Sequence, residues 1–81
     1  MYDYTAPTRT ATEIIDIADS AAYWNNGGRT DPDLLEYAYT AAAQYGLTED
    51  TMNEIMDAAW RGRMFSRTRY IEEAHKIINA A

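Results

Sequence analysis

The sequence predicts an all-α protein, a compact bundle of four short helices behind a flexible N-terminal tail. Three observations predict it. Apolar residues recur at i, i+3 and i+4 in four successive segments. Each segment opens on a capping residue, and glycine or asparagine closes the first three. No stretch alternates apolar and polar residues at period two over a useful length. The connections are short, which points to an orthogonal or up-down arrangement. The chain has 81 residues, enough for one domain, here 10–81, with 1–9 as the tail. Pro7 and the threonines around it disfavour a helix there, and Tyr2 and Tyr4 are positioned to tether the tail to the body.

The first helix is expected from about Ala11 to Asn25. Thr10 with Glu13 has capping-box spacing. Ile14, Ile17, Ala18, Ala21 and Trp24 share one face, with Ile15 and Ala22 at its edge, and Glu13, Asp16, Asp19 and Ser20 lie opposite. Asn25-Asn26-Gly27-Gly28 ends it. The second helix runs from about Pro32 to Tyr45, with Asp31 as N-cap, Pro32 at the first position and Gly46 beyond the end. Leu34, Leu35, Tyr37, Ala38, Tyr39, Ala41, Ala42, Ala43 and Tyr45 cover most of its directions, so it is expected at the centre of the bundle or at an interface.

The third helix is expected from about Glu49 to Arg61. Thr48 caps it, Leu47 and Met52 have staple spacing, and Gly62 reads as its terminator. Met52, Ile55, Met56, Ala59 and Trp60 form its apolar face, and Asp50, Glu54 and Asp57 an acidic stripe. Asp57 is placed to pair with Arg61. The fourth helix runs from about Arg67 to Ala80 behind the N-cap Ser66. Phe65 and Tyr70 repeat the staple spacing. Tyr70, Ile71, Ala74, Ile77 and Ile78 face inward, with Arg69–Glu73 and Glu72–Lys76 as outer ion pairs.

Composition narrows the function classes. There is no cysteine and one histidine, so a disulfide scaffold is excluded, a zinc site disfavoured and no cofactor expected. No apolar run spans a bilayer, and the start resembles no signal peptide, so a cytoplasmic protein without membrane contact is expected. Net charge is −6 and unevenly spread. Residues 1–60 carry eleven acids against two bases, and residues 61–81 five bases against two acids. That polarity sets association preferences rather than fold.

Catalytic chemistry has little to work with. His75 is the only imidazole, at the rim of a helix face and without a matching nucleophile. Asp31, Asp33 and Glu36 have a ligand-like spacing but lack the glycine and further oxygens of a calcium loop. Their position at a helix N-terminus suffices to explain them. A non-enzymatic protein is the expectation, with no catalytic and no metal-binding residues.

The segment WRGRMFSRTR, Trp60–Arg69, stands out as four arginines in an acidic chain. The run AAWRGRMFSRTRYIEEA from Ala58, 17 residues, resembles the core of helix-turn-helix DNA-binding proteins. The resemblance rests on Ala58, on Gly62 four residues later, and on Ser66. It departs from the family at Arg63 and Thr68, near positions the family usually fills with apolar residues. It implies a turn at Gly62, with Arg67, Thr68 and Arg69 towards bases and Arg61 and Arg63 towards phosphates. The competing reading is that these arginines pair with the protein's own acids. The overall negative charge opposes DNA binding.

The acidic face supports the leading expectation. Carboxylates on rigid helices can imitate a row of phosphates and occupy a basic groove on a partner. In size and composition the chain resembles many small phage and mobile-element proteins. A protein-binding module, an inhibitor of a basic host surface among its forms, is therefore expected to use Asp16, Asp19 and Tyr23 of the first helix and Asp50, Glu54 and Asp57 of the third. Seven tyrosines and two tryptophans fit interface use, Tyr37 and Tyr39 included, or boundary filling around an alanine-rich core. The alternatives are the DNA-binding regulator and a self-associating protein. In the latter, the acidic helices of one copy meet the basic end of another, or the second helix buries a homodimer seam.

Overall fold

A computed structural model describes residues 9–81 of the chain. The expectations for Tyr2, Tyr4 and residues 1–8 of the tail lie outside the described residues. Four helices follow one another: α1 Ala11–Trp24, α2 Pro32–Gln44, α3 Glu49–Met64 and α4 Arg67–Ala80. There is no strand among the described residues. Each helix begins as its capping residue dictates. Thr10, Asp31, Thr48 and Ser66 accept, through their side-chain oxygens, the amide of the residue three positions on, which satisfies a donor the helix itself cannot.

The loop from α1 to α2 is pinned rather than loose. The Asn25 and Asn26 amides donate to the carbonyls of Ala21 and Ala22. Asn25 Oδ1 accepts the Asp31 amide at 2.9 Å, joining the end of α1 to the cap of α2. Gly27 and Gly28 take φ of 65° and 85°, a region costly for residues with a Cβ.

Helices α1 and α3 each touch all three others, with α3 the more extensively packed, while α2 reaches α1 and α3 only. Of the two placements expected for α2, the centre of the bundle or an interface, the first is therefore corrected. Its buried residues are the small ones, Ala38, Ala41 and Ala42, which allow close approach, and its leucines and tyrosines stay half-buried or exposed. The core is built on Ile14, Met52 and Ile55, all fully buried, with alanines from every helix around them.

Several local expectations are also corrected. The buried face of α1 is rotated by roughly a fifth of a turn, towards Ile15, Ala22 and Asp19, leaving Trp24 49% exposed and Ile17 half-buried. Ile71 lies outside the α4 core face. Phe65 is 81% exposed, so the staple with Tyr70 does not form. Arg9, assigned to the tail, instead bonds Gln44 and Tyr37 of α2 and pairs with Glu13 at 3.5 Å.

The largest correction concerns Gly62, which does not end α3. The helix runs one more turn to Met64, and the Phe65 amide bonds the Arg61 carbonyl. Gly62 is buried against α4, where an added Cβ would lie 2.1 Å from Tyr70 Cβ. The glycine is there for close packing. Tyr70 itself is buried, and its hydroxyl donates to the Ile15 carbonyl at 2.9 Å, tying α4 to α1. Burial, and then the Asp19 carboxylate, raise the Tyr70 pKa well above the ordinary tyrosine value. The neutral form is thus favoured in the native state. That contribution is complete below about pH 10 and declines above it, as the unfolded tyrosine ionises and the folded one does not. Tyr70→Phe should cost about 1 kcal/mol at neutral pH through the lost bond to the Ile15 carbonyl. It should also flatten the alkaline fall of stability, read by denaturant titration from neutral pH upward.

Candidate charged interface

Local helix geometry brings the arginines of α3 and α4 against the acids of α1 and α4. Asp19, expected on the exposed face of α1, is only 8% exposed. Its carboxylate accepts two bonds from Arg63, Nε at 2.9 Å and Nη2 at 3.1 Å, and lies 3.5 Å from Arg67 Nη2. This forked geometry is the strongest that guanidinium and carboxylate make. It also accounts for the extra turn of α3, since a helix ending at Arg61 would not present Arg63 to α1. Tyr23, another residue expected to bind a partner from α1, is half-buried with two guanidinium groups against its ring. Arg29 lies 4.1 Å and Arg63 4.6 Å from the ring centroid. Arg29 also donates to the Tyr23 carbonyl at 3.0 Å. Such stacking holds the end of α1 and its following loop against α3.

Arg61 is held by two acids, Asp57 at 3.2 Å along α3 and Glu73 at 2.9 Å across to α4. The expected Arg69–Glu73 pair therefore gives way to Arg61–Glu73, and the Glu72–Lys76 pair is absent from the ion pairs among the described residues. Of the five residues expected to contact DNA, Arg61, Arg63 and Arg67 are engaged by carboxylates. Thr68 and Arg69 are exposed, and Arg69 makes no ion pair among the described residues. The glycine turn that the helix-turn-helix resemblance implies is absent, because the break falls at Phe65–Ser66.

The acidic stripe of α3 is present as expected. Asp50, Glu54 and Asp57 are exposed, and Asp50 and Glu54 have no ion-pair partner among the described residues. Asp16 is exposed too, but on the side of α1 away from its buried residues. Asp31 serves as the α2 cap, accepting the Leu34 amide. Tyr39 donates to Asn53 Oδ1, joining α2 to α3. Tyr37 is half exposed, under the Arg9 guanidinium.

Sequence reasoning missed the exposure of Met64 and Phe65, 61% and 81%, at the corner between α3 and α4. The only sequence signal is an apolar pair standing among arginines just before a capping serine. No helix among the described residues is long and apolar enough to cross a membrane. The chain matches no protein-family model, no curated protein and no solved structure.

Proposed function

We propose that the protein is a non-enzymatic protein-binding module that presents the α3 carboxylates Asp50, Glu54 and Asp57 to a basic surface of its partner. A nucleic-acid-binding groove is one surface this chemistry fits. The observation that carries the reading is the division of charge. Three of the four arginines in the basic segment are tied to Asp19, Asp57 and Glu73, while Asp50 and Glu54 stay exposed and unpaired among the described residues. Cations already bound to carboxylates release few counterions from DNA, so little phosphate affinity remains to them. Free carboxylates on a rigid helix steer a basic partner and hold register on it. Asp19 and Tyr23 support the fold of this surface rather than the contact itself, and Asp16 is an exposed carboxylate of α1.

The test is quantitative affinity capture from cell extract with the wild type, Asp50→Lys/Glu54→Lys, and Arg69→Ala. A basic protein should be retained by the wild type and by Arg69→Ala and lost from the charge-reversed variant. Both variants alter exposed side chains, so their helix content should match the wild type. Identical capture by all three would overturn the reading. So would binding of generic duplex DNA that weakens steeply between about 50 and 200 mM salt, since that would make Arg69 and Thr68 the contact surface.

A further inference from the structure

We propose that the Met64–Phe65 corner of one copy seats in an acidic apolar trough between α2 and α3 of a second copy, so that the protein associates head to tail. This contact is separate from the carboxylate stripe above and does not depend on that reading.

The corner has the character of an inserting element. Met64 and Phe65 are adjacent, large and mostly exposed. They stand at the break between two helices, within a segment, 61–69, whose arginines are paired to carboxylates except for Arg69. Arg69 makes no ion pair among the described residues. Phe65 and Arg69 border one groove at this corner, with Arg61 and its partner Glu73 on the same wall, so an apolar ring and one cation free among the described residues are presented together.

The trough has the complementary character. It is a shallow, open depression of about 450 Å³ along α2, bordered at one end by the start of α3. Pro32, Leu35, Tyr39 and Ala43 supply apolar lining, and Glu36 and Glu49 its carboxylates. Both glutamates are exposed, and neither is ion-paired among the described residues. The trough exists because α2 packs on α1 and α3 only, which leaves this apolar side of α2 uncovered. Insertion of Phe65 would bury apolar surface on both sides and bring unpaired arginine to unpaired glutamate.

Glu49 is the first residue of α3 and Met64 the last, so Met64 and the trough's Glu49 lie at opposite ends of a rigid helix, about 22 Å apart, too far for the corner of one copy to reach that glutamate. Two different patches meeting in this way make a heterologous contact, which can extend beyond two copies. Charge at its rim makes it sensitive to salt.

Sedimentation of the wild type, Phe65→Ser and Glu36→Lys/Glu49→Gln, from micromolar to millimolar protein, tests this. At low salt the wild-type mass should rise with concentration past the dimer, and high salt should reverse it. Each variant alone should associate at least tenfold more weakly. An equimolar mixture of the two variants should form a 1:1 dimer and stop there, because each retains one intact patch. The altered side chains are exposed, so unchanged far-UV circular dichroism and melting should accompany the loss. A wild type that stays monomeric to millimolar concentration would overturn the proposal. So would a Phe65→Ser variant that assembles like the wild type, or two variants that fail to pair.

Discussion

Gly62→Ala is expected to lower the melting temperature by on the order of 10–20 °C, although alanine is the better helix former. Within a helix the exchange would ordinarily favour folding by about 1 kcal/mol, and Gly62 lies inside α3. Packing opposes it more strongly. The new methyl carbon would lie 2.1 Å from Tyr70 Cβ and 2.7 Å from Cγ, where carbon atoms prefer about 3.5 Å or more. Tyr70 cannot simply rotate away. The nearest atom is its Cβ, fixed by the α4 backbone, and its hydroxyl is bonded to the Ile15 carbonyl. The helices must therefore separate, which strains the Arg61–Glu73 bridge between them. Overpacking of this kind costs about 1–3 kcal/mol and occasionally more. The clash here falls well inside contact distance, so a net loss near 3 kcal/mol follows, a large share of the roughly 4–12 kcal/mol available to a chain of this size. Each kilocalorie shifts the midpoint by about 4–8 °C. Thermal melting followed by circular dichroism reads this directly. An equal or higher midpoint would mean that α3 and α4 are not in such close contact.

The same glycine shows which features were legible from sequence. The caps were legible because each is a local bond, from the side chain of Thr10, Asp31, Thr48 or Ser66 to an amide three residues on. Helix starts therefore coincide with their sequence signals. A glycine that ends a helix and a glycine that admits a neighbouring helix look alike locally. The difference lies in Tyr70, eight positions away and on another element. The facing of α1 failed for a similar reason. A carboxylate reads as solvent-facing until a cation is brought to it, and Arg63 is 44 residues from Asp19. Of the candidate sites, the α3 stripe was legible because charge at helical spacing needs only its own helix. The pairing of the basic segment was foreseen as one of two readings. Which acids would take part depends on the fold. Phe65 could not be placed, since the staple spacing that suggested burial was satisfied in sequence but not in space.

Asp19→Ala is expected to cost about 2–4 kcal/mol, the second large effect, and Arg67→Ala no more than about 1 kcal/mol. The difference comes from exposure and geometry. The Asp19 side chain is 11% exposed and Arg63 35%, and they share two bonds. Arg67 is 62% exposed and stands 3.5 Å from the same carboxylate, a surface pair of small net value. Removing Asp19 also leaves Arg63 and Arg67 as uncompensated cations, and it removes the anchor that holds Arg63 over Tyr23. Denaturant titration of Asp19→Ala, Arg63→Ala and the double variant separates the pair from these side effects. A coupling of about 1.5–3 kcal/mol with an unchanged denaturant slope is expected, and a coupling near zero would mean that the forked bond does not form in solution. The same variant also bears on the arginine segment. If Asp19→Ala binds duplex DNA at low salt and the wild type does not, this one carboxylate is what keeps a segment resembling a nucleic-acid contact from acting as one.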